Sequence, residues 1–248
     1  MDDMMRAAMD SEYNNIGELL GIDEALLGEV NDLMGRMTPI EKVKFMKKIS
    51  AKPNLSRGSR AEFEKFFKEV PDNVKTGLLS GDLRLADYTL YSIKQINSKT
   101  IKMFETQDDK EVGLRNVSNA KLPKNFVFMV SGIYLLAGTA DNPDNKESIK
   151  AISFRQIDLY PAIANGEFSL KANKKQIIPE GNINRKFITD DRMMGAISHQ
   201  IGYYKLDNPR LIKDDELIEF TIELGTMLNL DPTRTFLYVG LDGTGTTP

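Results

Sequence analysis

One histidine and no cysteine bound the chemistry open to this chain. Thiolate nucleophiles, disulfides and thiolate metal sites are excluded, and so is any site built on several histidines. The single His199 lies in ISHQIG with no second imidazole to partner it. A catalytic role would need Asp or Glu side chains that the spacing does not supply, so a structural or surface histidine is the plainer reading. Asp141, Asp144 and Glu147 in DNPDNKE offer hard oxygen ligands of the kind calcium takes, but their spacing is not that of an EF-hand loop and Pro143 interrupts it. The closing GLDGTGTTP is rich in glycine, as phosphate-cradling loops are. It lacks the lysine of a P-loop, follows an extended segment and leaves no residues for a helix, which reads as a flexible tail. Carboxylates are plentiful, with Asp and Glu totalling 36, and nothing singles out a glycosidase-like pair among them. No catalytic, cofactor-binding or metal-binding residue is assigned. Tyr203-Tyr204 is the one aromatic pair suited to an exposed binding surface, since at a two-residue period one of the two faces out.

The elements that must position these residues fall into two parts. Residues 16–70 carry a helical period. Ile16, Leu19, Leu20, Leu26, Leu27, Val30, Leu33 and Met34 recur at spacings near three and four. Thr38-Pro-Ile-Glu41 is a capping box with proline at the first helical position, and Ser59-Arg-Ala-Glu62 is another. Phe63, Phe66, Phe67 and Val70 then form a stripe that Pro71 ends. Lys42, Lys44, Lys47 and Lys48 line one side of the middle helix. Residues 1–50 hold 10 acidic and 6 basic side chains, so this is a solvated face rather than a phosphate-binding one.

From about Gly81 the period becomes two. Ten short extended segments follow, separated by turn chemistry such as NAKLPKN, GTADNPDN and DNPR. They include LRLADYTLYSIKQI, FVFMVSGIYLLAG, AISFRQI and TFLYVGLDG. The run FVFMVSGIYLLAG is too short to span a bilayer as a helix, which needs about 20 residues, and suits a buried strand. LIEFTIEL alternates strictly and suits a strand wet on one face. Few helices intervene, so the expected architecture is α+β: an N-terminal helical arm or subdomain over residues 1–80, and an antiparallel β-sandwich over residues 81–248.

The same phrase occurs twice in the second part. GEFSLKANKKQIIPEG begins at Gly166 and GYYKLDNPRLIKDD at Gly202. At an offset of 34, Ile177 matches Leu211, Ile178 matches Ile212, Gly181 matches Asp215, Ile183 matches Leu217 and Ile188 matches Ile222. Each copy reads as strand, turn, short aliphatic strand and turn, with turns at Pro179-Glu-Gly181 and Asn208-Pro209. Two similar hairpins in facing sheets suit a jelly roll, which is two Greek keys.

LPKNFVFMVSGIYLLAG, the two repeated phrases and the close TFLYVGLDGTGTTP together resemble viral jelly-roll capsid proteins, particularly those of small icosahedral or lipid-containing bacteriophages. The resemblance covers roughly residues 81–248 and is one of style, without an invariant motif. It implies a homo-oligomeric shell subunit, with trimers among the forms it takes. Its partners would be copies of itself and other virion proteins, its place the virion after assembly in the host cytoplasm, and it would have no catalytic residues. The net charge of −3 does not point to nucleic acid or an anionic membrane. The opening MDDMMRAAMDSEYNN lacks the apolar run of a secretory leader. The alternative is a carbohydrate- or protein-binding sandwich on a tail or cell surface, using Tyr203 or Tyr204.

Overall fold

The computed structural model describes residue 63 and residues 65–188 and 201–248. The chain divides into two compact units, Met1–Arg57 and Gly58–Pro248, and every described residue belongs to the second. The helices expected between residues 16 and 62, the lysines Lys42, Lys44, Lys47 and Lys48, and His199 all lie outside the described residues.

Eight strands among the described residues form two four-stranded antiparallel sheets. They are β1 (Arg84–Gln95), β2 (Thr100–Lys102), β3 (Phe128–Thr139), β4 (Glu167–Ala172), β5 (Lys175–Ile183), β6 (Tyr203–Ile212), β7 (Ile218–Glu223) and β8 (Thr235–Thr247). The first sheet runs β1-β8-β3-β6 and the second β2-β7-β4-β5. The pairing nests around the β4–β5 hairpin: β4 with β5, β3 with β6, β2 with β7 and β1 with β8. That hairpin turns on Asn173 and Lys174, both with positive φ, which matches the right-handed twist of its strands. The inner faces share one core, with Leu90, Ile133, Leu135, Leu237 and Val239 from the first sheet and Phe168, Leu170, Phe220 and Ile222 from the second. The described chain is thus mainly antiparallel β in a sandwich-like arrangement, with little helix.

Two short segments cover parts of the outer face of the first sheet. At one end Phe63, Val70 and Val74 pack on Val127 and Met129, with Leu85 and Leu211 alongside. Val74 lies on α1 (Asp72–Ser80). Pro71 does break the backbone, since Val70 is extended before it as a residue preceding proline prefers to be. The chain turns helical again at once in α1, a helix the sequence does not announce, and stops at Gly81 in the left-handed region. At the other end Ile149, Ile152 and Phe154 pack over Ile93, Phe236 and Tyr238. Ile149 belongs to α2 (Lys146–Lys150), which the Asn145 side chain caps.

Three sequence expectations are corrected here. AISFRQI is not a strand: only Arg155 forms an isolated bridge, to Ala137, and Ile157 opens a 3-10 turn. The glycine-rich close is not a flexible tail. Residues Thr235–Thr247 form β8, hydrogen-bonded on both sides, with Thr247 opposite Arg84 and Gly245 opposite Phe128. Its glycines are there because neighbours come close. A Cβ on Gly243 would lie 1.8 Å from the Met129 carbonyl oxygen, and one on Gly245 would meet the Phe126 ring at 2.6 Å. Lastly, Pro179-Glu-Gly181 and Asn208-Pro209 are not turns between strands. They are bulges inside β5 and β6, where the register shifts opposite Ser169 and opposite Ser131.

Candidate functional site

The residues singled out for oxygen-ligand chemistry do not converge. Asp141 is exposed, 3.6 Å from the Arg234 guanidinium, and Glu147 pairs with Lys150 at 3.0 Å. The Asp144 amide donates to the Asn142 side chain at 3.2 Å. Among the described residues no group of three His, Asp or Glu side chains is placed to hold a metal ion.

Tyr203 and Tyr204, neighbours on β6, do point to opposite faces. Tyr204 turns inward, edge-on to Phe168 at 6.3 Å and to Phe187 at 5.9 Å, with the Lys186 ammonium 5.1 Å from its ring centre. Tyr203 turns outward onto the middle of the first sheet, between the two covering segments. Its ring lies across β3 at Gly132, where a Cβ would stand 2.0 Å from the phenol oxygen. The Tyr203 ring also packs against Tyr134, with centroids 4.8 Å apart. Its hydroxyl is hydrogen-bonded to Asp242 on β8, and Asp242 accepts a second hydrogen bond from the Thr89 hydroxyl on β1, at 2.9 Å. A polar rung therefore crosses the sheet from β6 to β1, passing β3 where there is no side chain. Tyr91 and Tyr238, stacked at 6.0 Å, stand on the side nearer α2.

The electrostatics follow from partial burial. Burial pushes the Asp242 carboxyl above its usual range and Asp87 adds to the rise, while the hydrogen bonds from Thr89 and Tyr203 oppose it. Burial, reinforced by the charge of Asp242, pushes the Tyr203 phenol up to about 12. Tyr134 and Tyr238 are raised as well, chiefly by burial. At neutral pH these phenols are hydrogen-bond donors and acceptors beside one carboxylate. The sequence marked Tyr203 but not Asp242, Thr89 or Tyr134. The available signal was glycine inside two strand patterns, at Gly132 and Gly240, which marks a close approach.

The sheet edges are a second candidate surface, because an open edge recruits another strand. Each edge here is blunted. The outer side of β1 is already bonded: the Ile93 amide donates to the Leu114 carbonyl at 2.8 Å. The Asn116 side chain accepts from the Tyr91 amide at 2.8 Å and donates to the Thr89 carbonyl at 2.7 Å. Ion pairs from Lys94 and Arg115 to Asp108, at 2.6 and 3.1 Å, hold that segment in place. The β2 edge is three residues long, and β5 and β6 carry the bulges. Those two bulges face one groove of about 180 Å³ between the sheets, lined by Ile177, Pro179 and Asn182 from β5 and by Tyr204, Leu206 and Asn208 from β6. The two copies of the repeated phrase thus supply the two bulged edges of one side. Their matched positions Gly181 and Asp215 both take positive φ, in a bulge in one case and in the turn before β7 in the other.

No known protein-family model matches this sequence, and no curated protein matches it.

Proposed function

We propose that the chain is a structural virion protein, a jelly-roll capsid subunit that assembles with copies of itself into the icosahedral shell of a bacteriophage. One observation carries the reading: the nested pairing 1-8, 2-7, 3-6 and 4-5. A long hairpin of eight strands, rolled so that its four successive strand pairs alternate between two layers, gives the orders 1-8-3-6 and 2-7-4-5. In this reading that arrangement is the double Greek key of jelly rolls, a fold found in viral shells, in lectins and in cupins. The interior favours the first use over the last. Among the described residues its middle is filled by Phe168, Phe187, Phe220, Met103 and aliphatic side chains, all fully buried or nearly so, and the groove lined by β5 and β6 lies at its edge.

Shell formation in this reading uses faces and loops, because the blunted edges oppose strand addition. Exposed apolar side chains at Leu79, Val112, Leu159 and Leu228 are what such contacts bury, weak singly and multiplied by closed symmetry. The test is sedimentation analysis and negative-stain microscopy of the full chain over a rising concentration series. Discrete trimers, pentamers or closed particles are expected. A protein that remains monomeric at millimolar concentration, and is absent from particles in its source, ends the proposal.

A further inference from the structure

We propose that Ser92, Asp108 and Arg115 form a binding site for one internal water molecule, which ties the segment 104–122 to the outer edge of β1. The inference is independent of the shell reading, since it rests on how one edge strand is covered.

Among the described residues four side-chain polar atoms are fully enclosed and make no hydrogen bond within the protein. Three of them belong to one cluster: the Ser92 hydroxyl, Asp108 Oδ2 and Arg115 Nε. Ser92 and Arg115 are antiparallel bridge partners, so their side chains leave the backbone on the same side. Ser92 shares the inward side of β1 with Leu90 and is 1% exposed. The Arg115 guanidinium reaches Asp108 Oδ1 at 3.1 Å. Lys94, also inward on β1, stands 2.6 Å from Asp108 Oδ2, which pairs the charges but is out of line for a hydrogen bond. The same ammonium does donate to Glu105, at 2.6 Å. Enclosed polar groups of this kind are costly unless something pairs with them.

The three atoms specify the occupant. Arg115 Nε only donates, an ionised carboxylate oxygen only accepts, and the Ser92 hydroxyl does either. A water accepts from the first, donates to the second and pairs with the third, and about three hydrogen bonds are what internal waters make. Ions fit badly. Lys94 and Arg115 balance Glu105 and Asp108, so an anion would meet two carboxylates and a cation two cations. Enclosure of all three atoms excludes anything larger, whereas a water needs only about 10–15 Å³. The segment 104–122 carries the Leu114 carbonyl and the Asn116 side chain that pair the outer side of β1. Phe104, Val117 and Leu122 anchor it in the core, and the ion pairs with this water join its polar side to the strand. Loss of the water loosens the cover of an edge that could otherwise recruit another strand.

A crystal structure of the full chain at a resolution that shows ordered solvent, with a parallel bromide soak, tests the site directly. One water within about 3.2 Å of all three atoms is expected, and no bromide. A direct bond from Ser92 to Arg115 or Asp108 in its place, bromide at the position, or no density there overturns the proposal. Hydrogen exchange of the full chain reads the consequence in solution. Ser92→Ala should speed exchange of the Tyr91 and Ile93 amides about fivefold or more and leave the amides of β7 unchanged. Thr106→Ala, exposed on the same segment, should change neither. If Ser92→Ala does not fold, Ser92→Cys takes its place, with the same local acceleration expected. Equal acceleration in every strand would mean a general loss of stability, and no acceleration at Tyr91 and Ile93 would mean that the edge does not depend on the site; either result overturns the proposal.

Discussion

On β7 the outward positions are Glu219, Thr221 and Glu223; on β3 they include Met129, Tyr134 and Leu136. The two sheets have the same number of strands and share one core, yet their outer faces are opposites. The second sheet faces water with charge. Lys171 and Glu180 pair at 2.6 Å, while Glu167 and Glu223 stand directly opposite each other, a like-charge pairing that only good solvation tolerates. The first sheet is packed at both ends and aromatic in between. The difference explains why two strands of one fold look so unlike in sequence. A strand buried on one face alternates, as LIEFTIEL does, whereas a strand buried on both reads as a nearly unbroken apolar run, as FVFMVSGIYLLAG does.

The sharpest way to break that comparison is to place the same charge on both outer faces. Met129→Lys buries an unpaired ammonium beneath Phe63 and Val74, and should cost about 4 kcal/mol or more, enough to unfold the domain. Thr221→Lys, on the outer face of β7, should change stability by no more than about 0.5 kcal/mol. Urea unfolding measures both, and similar midpoints for the two variants would mean that the first sheet's outer face is not covered.

A smaller contrast lies in pH. The folded-state pKa of Asp242 is raised by burial, so its contribution is fully present below the unfolded carboxylate value of about 3.9 and is lost as pH rises through the folded value. Asp242→Asn removes that dependence. The melting temperature of the variant relative to wild type should therefore rise between pH 3.5 and pH 7. A constant difference would place Asp242 in water rather than in the rung.

The smallest effect belongs to the second sheet and has the opposite sign. Lys171 holds the Glu180 carboxyl below its usual range by a hydrogen bond and by its charge. That contribution is present above the unfolded value of about 4.3 and fades as pH falls through the folded one. Glu180→Gln should be slightly less stable than wild type at pH 7, equal to it near pH 3, and insensitive to added salt, which in wild type screens the pair. A deficit that persists at pH 3 would point to packing instead.

Much of the β architecture was legible because water supplies half of its pattern. Alternation at Ile218, Phe220 and Ile222 needs only one wet face, and the change of period near Gly81 needs only the chain's own spacing. The misreadings have a common cause. Gly181 is written as a turn residue and does take a left-handed φ, but the strand continues through it because β4 runs alongside to receive the bulge. Gly243 and Gly245 are written as a loose end, but they lie in β8, between β1 and β3, where a side chain would strike Met129 or Phe126. In both places local chemistry describes the backbone correctly, and the partner strand decides what that backbone is for.

The site was legible in one residue. Tyr203 stands out beside Tyr204, but its partners are 39 positions away at Asp242 and 114 at Thr89, on strands that meet only when the sheet forms. The sequence alone determined where most of the strands run, which faces turn to water and which chemistries are closed to a chain with one histidine and no cysteine, because these depend on side-chain type and short spacing. Tertiary structure alone decided the nesting of the strands, the closure of their edges and the rung from Tyr203 through Asp242 to Thr89. Each of those is a contact between residues far apart in the chain, and residue type and short spacing do not specify which distant strands will meet.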